Sequence, residues 1–165
     1  MGARHHLIDR LRALCCVAVA LGLSSPAAVG AEPAKDPNCR SVGGTVMTNF
    51  ISDTTTLGPA TGDLRGAVSA TLVGQAVDGD AIVFTVQHHW VTESGDTIVM
   101  APAAAKTQPL PPLFAVVSYP ITIIGGTGRF DRASGHLDAI GELDAAAGQT
   151  VFRYRGEVCF AAPLK

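Results

Sequence analysis

The chain has 165 residues, with 12 Lys and Arg against 14 Asp and Glu for a net charge of −2, and only 5% aromatic residues. It has no basic run to form an electrostatic footprint for nucleic acid or an anionic membrane surface. Its four cysteines show no Cys-x-x-Cys or Cys/His spacing of a metal site, so a globular chain long enough for one domain remains.

Residues 1–31 read separately from the rest. Arg4, Arg10 and Arg12 precede or open an apolar stretch from Ala13 to Leu23, and small residues follow at Val29 and Ala31. That order is the pattern of a secretory signal peptide cleaved after Ala31. The apolar stretch is too short to span a bilayer comfortably and no second one of that kind follows, so the expectation is an exported protein, periplasmic or extracellular, with no membrane span. Cys15 and Cys16 sit at the start of the apolar core instead of just beyond it, which counts against a lipid anchor. Three Arg and one Asp leave with the peptide, so the mature balance is 9 basic against 13 acidic residues.

Residues 32–41 read as a flexible lead-in and 42–162 as the folded domain. Cys39 and Cys159 are the cysteines that remain, one near each end, in a compartment that permits disulfides. Their pairing is expected, against the competing reading of two buried thiols. Closing so long a loop contributes somewhat under about 5 kcal/mol on the chain-entropy account, less any strain.

Beyond residue 40 the apolar pattern has period two, and nothing reads at 3.6. In chain order the predicted strands cover 45–52, 64–73, 81–92, 97–100, 113–124, 134–143 and 150–160. Turn chemistry separates them: Gly58-Pro59 and Thr61-Gly-Asp63, Asp78-Gly-Asp80, Ser94-Gly-Asp96, a glycine knot at Gly125-Gly-Thr-Gly128, and Ala147-Gly148. The span 101–112 holds Pro102, Pro109, Pro111 and Pro112, which cannot donate to a ladder, and reads as a loop across one end. About seven strands joined mostly by hairpins define an all-β domain, either a closed barrel or a sandwich.

Alternation assigns the faces. Phe152, Tyr154, Val158 and Phe160 point inward while Arg153, Arg155 and Glu157 point out, because the other register buries charges without partners. Leu64, Val68, Ala70 and Leu72 share an inner face, as do Leu137, Ala139, Gly141 and Leu143. The small residues among them either follow a barrel's taper or leave room for a ligand. In the 81–92 strand, Ile82, Phe84, Val86, His88 and Trp90 form the apolar set, so His88 turns inward and His89 outward.

The glycine knot follows a strand as a dinucleotide loop does, but its third glycine position is Asp131 and a strand follows in place of a helix, so a phosphate site is excluded. Adjacent His88 and His89 point opposite ways and cannot chelate one metal, and no Gly-x-Ser-x-Gly elbow offers a nucleophile. Neither a metal nor a cofactor is expected. Asp138, Glu142 and Asp144 fall on the outer face, and Asp78 and Asp80 in a turn. The inward polar inventory is His88, Tyr119 and Tyr154, with Thr48 and the Trp90 indole N–H. His88 beside Trp90 reads either as a hydrogen-bonded core histidine or as a polar anchor or acid/base group in a greasy pocket.

The run from Ile123 through Gly125-Gly-Thr-Gly-Arg-Phe-Asp-Arg-Ala-Ser-Gly135, the later Tyr154-Arg-Gly-Glu-Val158, and His88-His-Trp90 ahead of Ser94-Gly-Asp96 resemble the allene oxide cyclase-like barrel proteins, whose secreted bacterial members are related in shape to plant dirigent proteins. The resemblance covers most of residues 45 to 160. It implies a small antiparallel barrel of about eight strands around an apolar cavity, in a homo-oligomer, trimer or dimer. The plant cyclases close an unsaturated fatty-acid epoxide by holding it in a reactive fold, helped by a carboxylate; no inward position of this sequence matches that carboxylate. The expected role is therefore a binding or structural module for an apolar small molecule or a partner. The rival reading is a cyclase or isomerase folding a flexible unsaturated, lipid- or polyketide-like substrate. In that reading His88 and Tyr154 polarise the substrate, and Phe50, Phe84, Trp90 and Tyr119 complete the ligand-binding wall.

Overall fold

The computed structural model describes residues 36–161; the signal peptide read at 1–31 lies outside them. Nine strands follow in order: β1 (Cys39–Phe50), β2 (Thr55–Gly62), β3 (Gly66–Asp78), β4 (Ala81–Thr92), β5 (Thr97–Met100), β6 (Ala103–Leu110), β7 (Leu113–Gly126), β8 (Ser134–Asp144) and β9 (Gln149–Cys159), with one 3-10 turn at Gly128–Phe130. All pairings are antiparallel. The order β3-β2-β1-β9-β8-β7-β5-β4 closes on itself through β3–β4.

The barrel has eight staves because β5 and β6 share one. β4 pairs with β5 along His89–Val91 and with β6 along Ile82–Val86, and β7 pairs with both on the other side. The break between them falls at Ala101-Pro102, where Ala101 N–H still donates to Thr122 O. This corrects the loop expected over 101–112. Ala103, Ala105 and Thr107 are buried and alternate with exposed Ala104, Lys106 and Gln108. Closure also leaves no edge strand on which prolines would have to be confined.

A second correction concerns β2, whose Gly58-Pro59 reads as a turn in the sequence. In the β1–β2 register the partners run to Val46–Ala60 and resume at Asn49–Leu57. The gap falls opposite Gly58 and Pro59, where proline has no N–H to give, and the strand continues through it. At its other end β1 begins at Cys39, inside the span read as a lead-in, and the Cys39–Cys159 disulfide joins it to β9.

The knot end of the barrel is plugged. Phe130, carried on the 3-10 turn, is fully buried against Phe160 with ring centroids 5.6 Å apart, and Leu64, Ile98, Ile123 and Val158 fill the same region. Gly128 has φ +57, and a Cβ there would overlap the Asp96 carboxylate, so the turn that sets Phe130 requires glycine on both counts. Along the staves, a Cβ at Gly141 or Gly156 would strike the carbonyl oxygen of Val151 or His136. Those two glycines let neighbouring strands close up, whereas Ala70 and Ala139 face open space in the lumen.

Candidate functional site in the barrel lumen

Above the plug the barrel is not filled. A cavity of about 290 Å3 opens toward the end carrying the β1–β2, β3–β4, β6–β7 and β8–β9 turns. Phe50, Phe84, Trp90, Tyr119 and Tyr154 all line it, as does His88. Each comes from a different stave except the β4 trio, so period-two alternation around a closed barrel brings them together. The aromatic rings meet edge to face, Trp90 on Tyr154 at 5.5 Å and Tyr119 on Phe152 at 5.8 Å.

The polar groups divide into those already committed and those that are not. Tyr154 Oη donates to Thr61 O at 3.0 Å and accepts from Leu64 N–H at 3.1 Å, while the Trp90 indole N–H donates to Leu64 O at 2.9 Å. Both rings thus fasten the β2–β3 connection to the plugged end. Burial raises the Tyr154 pKa above its ordinary value, opposed by the Leu64 hydrogen bond and reinforced by the Asp63 charge. Thr48 and Thr150 pair with each other at 2.6 Å, and Thr107 donates to Ile82 O.

His88 is different. Its Nε2 lies 2.7 Å from Tyr119 Oη, and its buried Nδ1 has no hydrogen-bond partner among the described residues. Desolvation lowers the imidazole pKa from 6.5 to about 4, so the ring is neutral at pH 7; the same cause raises Tyr119. A neutral imidazole and a phenol hold two polar hydrogens, and the bond between the rings uses one. If Tyr119 donates to Nε2, the spare donor is Nδ1–H; if Nε2–H donates to Tyr119, the spare is the phenolic O–H. Either tautomer leaves one donor and one acceptor over.

Alternation did not find Thr56 on β2 or Ala105 and Thr107 on β6, which follow from the two corrected strands, nor Asp53. Asp53 sits in the exposed β1–β2 turn at the mouth, and among the described residues it is the one Asp, Glu, Lys or Arg lining the cavity. The signal available was Ser52-Asp53 between two alternating runs, a turn in which Ser52 Oγ accepts from Thr54 and Thr55 N–H; it becomes visible only once β2 is recognised as a strand. The same end carries Asp78, Asp80 and Asp144 at its turns, with Lys106 bonded to Asp78 at 2.7 Å. Ile51, Val77 and Leu110 project there as exposed apolar side chains. His89 is on the outer face, as alternation placed it, and His136 is exposed there too.

Fold and site together define the class: a closed eight-stave antiparallel β-barrel with an apolar, one-ended lumen. No protein-family model and no curated protein matches the sequence. Among solved structures, a pterocarpan synthase dirigent protein is similar at 14% identity and a TM-score of 0.33, over 77% of this chain and 88% of that one. A likeness at that level carries no argument, and function rests on the residues.

Proposed function

We propose that the protein is an exported, allene oxide cyclase-like barrel that binds an apolar small molecule in its lumen, as a carrier or binding module and not as a catalyst. The observation that carries the reading is the cavity itself: about 290 Å3, walled by aromatic and aliphatic side chains, open at one end and plugged at the other. That volume is at the lower end of ligand-pocket sizes and suits a compact small molecule. Burying such a ligand removes apolar surface on both partners from water. The exposed Ile51, Val77 and Leu110 at the mouth give it an apolar threshold to cross. The cyclase reading is weaker because Tyr154, one of its two polarising groups, already makes two hydrogen bonds.

The test is calorimetric titration of the mature protein with compact apolar molecules of that size, repeated on Ala70→Leu, which places a larger side chain into the lumen. Saturable binding that the filled variant loses while keeping its thermal melt is expected. Absence of heat with every compound, or equal binding by the variant, would sink the reading. Export is checked on the same preparation, whose intact mass should begin at Glu32.

A further inference from the structure

The lumen contrasts a largely apolar wall, relieved by a few threonine hydroxyls of which Thr48 and Thr150 bond to each other, with the His88–Tyr119 pair, whose Nδ1 has no hydrogen-bond partner among the described residues. His88 Nδ1 is already buried without a partner among the described residues, and an apolar ligand filling the cavity leaves that unsatisfied group, worth about 1–3 kcal/mol, as it is. A ligand oxygen placed there removes that cost. A carboxylate cannot take the same place on equal terms. No Lys or Arg is among the described residues lining the cavity, the imidazole is neutral, and entry passes Asp53 with Asp78, Asp80 and Asp144 on the surrounding turns. Lys106, a cation near that end, is bonded to Asp78. An anion would be desolvated with no counter-charge.

We propose that the His88–Tyr119 pair is the polar end of the binding site, taking one uncharged oxygen, a ketone, aldehyde or alcohol, of an otherwise apolar, compact ligand, and that the lumen rejects carboxylates. This rests on the lumen-binding reading and adds the ligand's chemical class to it. The alternation of β4 with Trp90 and His88 two residues apart sets the geometry: Trp90 is held at the plug, and His88 stands one step nearer the mouth.

Limonene, carvone and perillate share one ten-carbon skeleton as hydrocarbon, ketone and carboxylate, and calorimetry on the mature protein at pH 8 compares them directly. Carvone should bind about 5- to 100-fold tighter than limonene, and perillate more weakly than either; about 1.4 kcal/mol corresponds to each tenfold step. In the double variant His88→Leu/Tyr119→Phe, which removes both polar groups, the advantage of carvone over limonene should disappear. Equal affinities across the series, tightest binding by perillate, or carvone binding untouched by the double variant would each overturn the inference and leave lumen binding standing. Failure of all three compounds to bind would overturn the lumen reading and this inference with it. The comparison on the unmodified protein decides the matter even if the double variant does not fold.

Discussion

His88 is neutral because of where it is, and that has a consequence for stability. Its native pKa is about 4 against 6.5 for an exposed imidazole, with burial as the cause. Between those values the unfolded chain binds the extra proton and the native protein does not, so stability falls as pH drops below about 6.5, and the loss is complete near pH 4. The shift corresponds to at most about 3 kcal/mol. The other ionisable groups lining the lumen are Asp53, Tyr119 and Tyr154, so the measurement is taken as a difference between native protein and variant. Urea unfolding at pH 7 and pH 4.5 should show a smaller acid-induced loss in His88→Gln, which keeps a polar partner for Tyr119, than in the native protein. Equal losses would mean that His88 is already protonated, or solvated, in the folded state. The inward turn of His88 was legible from the alternation of Phe84, Val86 and Trp90 alone. That its Nδ1 stays unpaired was not, because the partner on β7 depends on a pairing across the barrel.

At the scale of elements, the knot and the staves were read with unequal success, and the difference is physical. Gly125-Gly-Thr-Gly128 announces a reversal because glycine is the residue for positive φ, and the structure has Gly125 at φ +149 and Gly128 at +57. What the turn is for depends on tertiary contact. It buries Phe130 beneath the barrel, and Thr127 Oγ1 accepts from Thr97 N–H at 2.8 Å. β2 and β6 escaped because proline marks loops in open sheets, and a strand's neighbours on both sides cannot be inferred from its own residues. Gly128→Ala and Gly95→Ala separate two effects at the knot. Both positions hold positive φ, but nothing lies within 4 Å of a Cβ at Gly95, while at Gly128 it would displace the Asp96 side chain. Gly95→Ala should cost about 1 kcal/mol from conformation alone, and Gly128→Ala about 1 kcal/mol more. Equal costs in thermal or denaturant unfolding would show that Asp96 moves aside freely and that the close contact does nothing.

For the whole molecule the ordering of staves assigns the disulfide its place. Apart from the shared β5/β6 stave, strands adjacent in the barrel are adjacent in the chain and joined by short turns, except at the β1–β9 seam, where the first strand meets the last. The register there is long, running from Cys39–Cys159 to Asn49–Gln149, but no chain connection shortens the search for it. The Cys39–Cys159 bond supplies that connection at one end of the seam, closing a sequence separation of 120. Pairing of the two cysteines was legible from their positions and from the export expected of residues 1–31; that they clasp the closing seam of a barrel follows only from the topology. Removing the bond by Cys39→Ser/Cys159→Ser should lower stability by about 2–5 kcal/mol. The loss should also be uneven. Near the cysteines, amides of β1 and β9 that pair across the seam, such as those of Val42 and Gly156, should exchange hydrogen faster relative to the β3–β4 hairpin, whose turn at Gly79 keeps its strands together. Hydrogen exchange followed by mass spectrometry on the two proteins reads this directly. A uniform acceleration across all staves would mean that the barrel opens as one unit and that the seam has no special weakness for the disulfide to protect.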